Sequence, residues 1–190
     1  MRILIGQYPP GVIDLEKFLA SLTEGIPVRG SRLSLYVAAM RSCTGGPDCT
    51  SFSWNHSKIV AVDGRIALVG GENMYAQDYL AEDPVFDLTM QLSGPAATDS
   101  MRFADALWSF VCTNNGKLSN VQAISLIGGE AAPGKDCRPS LAPANAGAGA
   151  GRVAVLCVGR PGSGITEDFA NQSDLARYLM LGAARNSIYI

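Results

Sequence analysis

The spacing of hydrophobic and polar positions along the chain predicts a mixture of short strands and helices. Apolar residues at every second position favour a β-strand, and apolar residues three or four positions apart favour an amphipathic helix. We predict strands over residues 2–5, 32–40, 52–62, 65–69, 86–92 and 153–158. We predict helices over residues 15–22, 98–111 and 174–185, followed by a strand that opens at residue 187. This pattern is typical of the α/β class, with a mixed β-sheet flanked by helices.

Polar residues that can cap a helix precede each of the three predicted helices. Asp14 is placed to cap the first helix, and Ser173 is placed to cap the third. For the second helix, the capping residue is Thr98 or Asp99.

One long stretch departs from this regular spacing. Residues 113–151 are predicted to be irregular, and within them residues 139–151 are rich in Pro, Ala and Gly. Such a composition favours a mobile linker. The chain therefore divides into an N-terminal part (1–113), an irregular segment with a linker (114–151) and a C-terminal part (152–190).

The composition indicates a globular protein with no broad basic surface. Hydrophobic residues make up 47% of the 190 residues and charged residues 17%, and the net charge is −2. An acidic chain has little electrostatic attraction for a nucleic-acid backbone, so we expect no nucleic-acid partner. No apolar run approaches the roughly 20 residues that cross a bilayer, and the apolar part of residues 1–6 is too short for a signal peptide.

Five cysteines suggest an oxidising compartment. Cys43 and Cys49 flank a turn-rich segment that a disulfide could close, and Cys112 and Cys137 flank the irregular segment. Cys157 lies in an apolar run and is interpreted as a buried thiol. Zinc binding by Cys43 and Cys49 is the alternative, but no second ligand pair at zinc spacing lies nearby, so we expect no metal. Two disulfides favour a secreted or periplasmic location.

The candidate chemistry lies in one motif that begins with His-x-Lys at residues 56–58. Asp63 follows after four residues, and Gly70-Gly71-Glu72-Asn73 follows after six more. His56 is the only histidine in the chain, and Lys58 is two positions later. On a strand these two side chains would share a face. An imidazole can form a covalent phosphoryl intermediate, and an ammonium group can hold the charged oxygens. The pair suits attack on a phosphodiester.

Residues after the His-Lys pair extend the candidate site. Gly70 and Gly71 allow a sharp backbone turn where side chains would obstruct a phosphate. The amide of Asn73 can donate to phosphate oxygens, and a turn residue that caps its own backbone is the alternative.

Asp63 belongs to the motif and is also the first residue of an Asp-Gly pair between two predicted strands. That pair favours a type I′ turn and so predicts a β-hairpin. We therefore assign Asp63 to the turn and a local salt bridge rather than to direct chemistry.

The motif resembles the HKD signature of the phospholipase D superfamily. Other stretches resemble the first catalytic half of secreted bacterial phospholipases D of the actinomycete type: residues 54–58, 62–64, 78–80, 92–97 and 107–112. The resemblance covers most of the chain and departs at residues 43–49, which are interpreted as a small insertion.

The resemblance implies a lobe with an α-β-α sandwich architecture. Residues 1–113 would be the motif-containing part of lobe one. Residues 152–190 would be its last strand, followed by the first helix and strand of lobe two. On this interpretation the chain is truncated at both ends.

The resemblance also implies an activity. The family's enzymes are phosphoric diester hydrolases that release a glycerophospholipid head group, or transfer the lipid phosphate to an alcohol, through a phosphohistidine. His56 would carry the phosphate, and we expect no cofactor. In these enzymes an Asp at the position of Asp87 accepts a hydrogen bond from the imidazole, much as in serine-protease triads. An exposed strand acid is the alternative.

Family enzymes build one active site from two HKD motifs, and this chain contains one. The second motif would supply the general acid, whose loss costs about 10²–10⁴ in rate. We therefore expect a second lobe, from the same gene or a homodimer, and a phospholipid substrate at a membrane or micelle surface. The alternatives are a nuclease-like HKD phosphodiesterase acting as a homodimer, and a non-catalytic binding fragment.

Overall fold

The structure is a computed structural model. It describes residues 1–7, 11–41, 54–73, 86–117, 121–134, 137–139, 153, 155, 157–160 and 172–188. The strands are β1 (Arg2–Gly6), β2 (Ser34–Met40), β3 (Lys58–Val62), β4 (Ile66–Gly70), β5 (Thr89–Ser93), β6 (Val121–Ile127) and β7 (Glu130–Pro133). The helices are α1 (Leu15–Thr23), α2 (Pro95–Asn114) and α3 (Gln172–Ala183). The predicted α/β class is confirmed.

The strands form two sheets. One is a four-stranded mixed sheet in the order β1-β2-β6-β7, in which β1 and β2 are parallel and the other neighbours are antiparallel. The other is a three-stranded antiparallel sheet in the order β3-β4-β5. We call this second sheet the motif sheet, because β3 begins at Lys58 of the His-x-Lys motif.

The four-stranded sheet lies between α1 and α2. Successive side chains of a strand point to opposite faces, and β2 buries both of its faces. Val37 and Ala39 pack in a cluster with Leu15 and Leu19 of α1. Ala38 and Met40, on the opposite face, pack in a cluster with residues of α2: Leu107, Trp108 and Val111. This helix-sheet-helix layering is the α-β-α sandwich implied by the resemblance.

The first helix follows its sequence signals closely. Asp14 caps α1 as predicted, because its Oδ1 accepts a hydrogen bond from the backbone N–H of Lys17 at 3.0 Å. A side-chain cap of this kind typically contributes about 1 kcal/mol. Leu15 and Leu19 are buried against the sheet, and that burial fixes which face of the helix points inward.

The predicted cap of the second helix is wrong. α2 begins at Pro95, three positions before Thr98, and Gly94 is its capping residue. Proline suits the first helical position because its missing N–H would have no partner there and its φ is already helical. The Thr98 hydroxyl instead donates to the carbonyl of Gly64 at 2.8 Å, and so ties α2 to the β3–β4 turn.

The prediction of an irregular segment over 114–151 is wrong for residues 121–133, which contain β6 and β7. β6 pairs along its whole length with β2 in the interior of the sheet. Val121, Ala123 and Leu126 of β6 are buried. A strand of modest apolar content is stabilised here by pairing and burial rather than by its own propensity.

Cys112 and Cys137 form a disulfide, the pairing expected from the sequence, with their Cα atoms 5.7 Å apart. It links the last turn of α2 to the chain that follows β7. Cys137 is also part of the core beneath α2. Cys157 is free and half-buried rather than fully buried. Cys43 and Cys49 lie outside the described residues, so their pairing stays a prediction.

The predictions for the C-terminal part are less accurate. No strand is present at the described positions of 153–158, where Val153 and Val155 are exposed and pair with no strand of the described residues. β-Propensity depends on such pairing and burial. α3 begins at Gln172, so Ser173 lies inside the helix rather than capping it. Residues 187 and 188 are not in a strand, and 189–190 lie outside the described part. The division into two lobes stays a prediction.

Candidate active site

The β3–β4 hairpin presents the motif, and its turn is the predicted one. Asp63 and Gly64 have φ values of 51° and 62°, as the two central residues of a type I′ turn require. The backbone N–H of Arg65 donates to the carbonyl of Val62 at 2.9 Å and closes the turn. Asp63 is exposed at the far end of β3 from Lys58, about 16 Å away at the usual strand rise.

His56 and Lys58 are joined in a way the sequence did not predict. β3 begins at Lys58 rather than at residue 52, so His56 precedes the strand. The backbone N–H of Ser57 donates to Asn55 Oδ1 at 3.2 Å, and such a side-chain acceptor competes with strand pairing. Lys58 Nζ donates to the carbonyl oxygen of His56 at 2.9 Å. The lysine therefore braces the backbone of His56, and His56 itself is exposed.

Gly70 and Gly71 line the end of the motif sheet at Lys58. Gly70 pairs with Lys58 on one side and with Thr89 on the other. A β-carbon on Gly71 would collide with Oδ1 of Asp87 and would lie 2.9 Å from its Cγ. Glycine at position 71 therefore lets the Asp87 carboxylate lie directly against the backbone.

Burial and a nearby carboxylate act in opposite directions on Lys58. Loss of solvent lowers the pKa of the Lys58 ammonium below its ordinary value of 10.5, and the charge of Asp87 partly raises it again. Burial disfavours a charged group, whereas an opposite charge favours it. Asp87 is thus an electrostatic neighbour of Lys58, although it follows Lys58 by 29 positions in the chain. The expected hydrogen bond between Asp87 and the His56 imidazole stays a prediction.

An aromatic neighbour of His56 was missed by the sequence analysis. The rings of Trp54 and His56 are edge-to-face, with centroids 5.7 Å apart and planes at 83°. Contacts of this geometry between aromatic rings contribute about 0.5–1.5 kcal/mol. The signal that could have found it is an aromatic residue two positions before the only histidine.

The structure therefore brings together most of the predicted site at one end of the motif sheet. Lys58, Gly70, Gly71 and Asp87 meet there, and His56 joins them through its backbone. Asn73 is half-buried and follows Gly71 by two positions. Asp63 is not part of this group. The arrangement places an exposed His56 next to an ammonium group, a carboxylate and two glycines at one end of the motif sheet.

Over 174 residues the chain is 34% identical to a protein named phospholipase D from Streptomyces antibioticus. This chain is a relative of phospholipase D. The match covers 88% of the chain and 29% of the Streptomyces protein, so the chain spans less than a third of the length of that protein. No family model matches the chain.

Two further features of this phospholipase D relative concern metals and membranes. Within the described ranges, no three or more His, Cys, Asp or Glu side chains are grouped so that they could hold a metal ion. None of the helices in the same ranges combines the length and apolar character that crossing a bilayer requires.

Proposed function

We propose that the chain provides one half of the active site of a phospholipase D-type phosphodiesterase that acts on glycerophospholipids through a phosphohistidine on His56. The observation that carries the proposal is the grouping of Lys58 and Asp87 beside the backbone of an exposed His56, at a glycine-lined end of the motif sheet. Similarity to a protein named phospholipase D favours a phospholipid as the diester.

The proposed first step is attack by a nitrogen of the His56 imidazole on the phosphorus atom. An N–P bond forms, and the bond from phosphorus to the head-group oxygen breaks. The Lys58 ammonium stabilises the charge that develops on the phosphoryl oxygens. Water or an alcohol then attacks the phosphorus and gives its proton to the group that protonates the leaving oxygen in the first step. The N–P bond breaks, which restores the imidazole and yields phosphatidic acid or a new phosphodiester.

The neighbours of these two residues have proposed roles in binding and orientation. Gly70 and Gly71 leave space for the phosphate, and the Asn73 amide donates to its oxygens. Asp87 accepts a hydrogen bond from the imidazole, which orients the nucleophile and stabilises its charged form. It also partly offsets the loss of solvent at Lys58.

The leaving oxygen needs a proton, and His56 is the only histidine of the chain. We propose that a second HKD motif supplies this general acid, from another lobe or from a second copy of the chain. Without it the first step would slow by about 10²–10⁴. A disulfide between Cys112 and Cys137 supports an oxidising, secreted or periplasmic location.

Head-group release from a short-chain, soluble phosphatidylcholine analogue tests this function. We expect purified monomer to be nearly inactive. Adding the C-terminal half of the Streptomyces relative, or raising the concentration until the chain dimerises, should restore turnover. The His56→Asn variant should stay inactive in both settings. Robust turnover that is first order in monomer would contradict the half-site proposal, and cleavage of a DNA substrate in place of the lipid would contradict the lipid assignment.

A further inference from the structure

His56 lies outside β3, so strand pairing does not fix its position as it fixes that of Lys58. His56 precedes β3 and is exposed, and its carbonyl oxygen accepts a hydrogen bond from Lys58 Nζ. That bond is made to the main chain of His56 and does not itself orient the imidazole. A nucleophile must nevertheless be aligned with the phosphorus to react.

The ring that faces the imidazole belongs to Trp54. Their centroids lie 5.7 Å apart with the planes at 83°. Trp54 is half-buried, whereas His56 is exposed. The indole is therefore the better-anchored partner of the pair and can limit the orientations that the imidazole adopts.

Trp54 is anchored by a close approach to the four-stranded sheet. A β-carbon on Gly6 would overlap the carbonyl oxygen of Asn55 and would lie 3.1 Å from Cδ1 of Trp54. Gly6 is the last residue of β1, where it pairs with Met40, a fully buried core residue. The absence of a side chain at Gly6 thus lets the segment before β3 lie against the edge strand of the four-stranded sheet.

We infer that Trp54 is a positioning residue for His56. Its indole, held against Gly6, keeps the imidazole in the orientation required for attack on phosphorus. The inference rests on the proposed role of His56 as nucleophile, but the contact itself can be tested without turnover. A displacement of about 1 Å in a reacting group can cost up to about 10²-fold in rate. The expected effect of losing Trp54 is therefore a fall in kcat, with KM changed little because the indole does not hold the phosphate.

NMR of the imidazole C–H groups tests the contact directly, since the only histidine gives unambiguous signals. In the wild-type chain the ring current of Trp54 should displace these signals from those of an exposed histidine. Trp54→Leu should return them toward the free values, and Trp54→Phe should preserve part of the displacement. Gly6→Ala, which pushes on Asn55 and Trp54, should also move them.

A matched control is Tyr178→Leu, which removes an aromatic ring that is 75% exposed on α3. It should leave the His56 signals unchanged. Thermal melts of every variant show whether the fold is retained, and Trp54→Phe provides a conservative variant if Trp54→Leu does not fold.

Kinetics in the assembly that gives turnover complete the test. We expect Trp54→Leu to lower kcat by about 10- to 100-fold, and Trp54→Phe to recover most of it. Unchanged His56 signals in both Trp54 variants would overturn the inference whatever the activity. A rise in KM with no fall in kcat would overturn it as well, because Trp54 would then bind substrate. Displaced signals without any turnover in the wild type would count against the proposed function and not against the contact.

Discussion

The carboxylate of Asp87 lies against the backbone of Gly71, so close that a β-carbon at position 71 would stand 2.9 Å from the Asp87 Cγ. The same carboxylate raises the pKa of Lys58 against the stronger effect of burial. One glycine thus determines where the negative charge of the site lies relative to its ammonium group.

Substitution Gly71→Ala should therefore displace Asp87 and impair the site. Turnover in the assembled enzyme should fall sharply, and the pKa of Lys58 should drop further as the carboxylate moves away. The Lys58 pKa can be followed by NMR of its side chain. Gly182→Ala is the matched control, because a β-carbon there meets no atom within 4 Å. In helix α3 it should stabilise the chain by up to about 1 kcal/mol. If Gly71→Ala and Gly182→Ala had the same turnover and the same Lys58 pKa, the contact between Gly71 and Asp87 would not matter for the site.

The second prediction concerns the stability cost of Lys58. Folding lowers its pKa from 10.5, so the charged ammonium destabilises the fold below the lowered pKa. This cost disappears as the pH rises from the lowered pKa to 10.5. Lys58→Met should raise the free energy of unfolding at pH 7, and its advantage over the wild type should shrink toward pH 11. Urea denaturation at both pH values measures this difference.

Lys17→Met, at an exposed position of α1, controls for the loss of a surface charge. Lys58→Met should also abolish turnover in the assembled enzyme. A Lys58→Met variant less stable than the wild type at pH 7 would show that the ammonium stabilises the fold.

Asp87→Asn should preserve the fold and slow turnover in the assembled enzyme severely. A neutral amide cannot stabilise a charged imidazole, and the comparable substitution in a serine-protease triad costs about 10⁴ in kcat. Steady-state kinetics with the phosphatidylcholine analogue measures the loss, and circular dichroism checks the fold. A variant with near wild-type kcat would identify Asp87 as an ordinary exposed acid just before β5. A lowered Lys58 pKa with unchanged kcat would limit its role to electrostatics.

The Cys112–Cys137 disulfide should contribute substantially to stability. It closes a loop between residues 25 positions apart, and the chain-entropy model gives roughly 3–4 kcal/mol for such a loop. Replacing both cysteines with alanine should lower the free energy of unfolding by that amount in urea titrations. Cys157→Ala, which removes the free thiol, is the control. Free thiol at Cys112 or Cys137 in unreduced material would contradict the pairing.

Local signals in the sequence were sufficient for several elements. Asp14 capped a helix whose apolar face was already evident, and Asp63-Gly64 formed the expected turn. In both cases the deciding interactions join residues only a few positions apart. The same holds for β2, whose apolar residues were predicted as a strand from their own composition.

Elements that depend on distant partners were not predictable in the same way. β6 is a strand because it pairs with β2, more than 80 positions earlier. Asp87 approaches Lys58 because Gly71 lies between them without a side chain. The position of the Trp54 indole depends on its contact with Gly6, which is almost 50 positions earlier in the chain. Spacing within a motif predicts which groups are chemically suited to a site, whereas the packing that orients them requires the fold.

Chemical trapping on His56 tests the central claim most directly. The chain, combined with the second motif that restores turnover, is mixed with a phospholipid labelled in its phosphate and quenched within the first turnover. After proteolysis at alkaline pH, acid-labile label should appear on the peptide that contains His56. It should be absent from the His56→Asn variant, which should keep the wild-type fold. Label on a different residue, or appreciable head-group release by His56→Ala, would contradict the account.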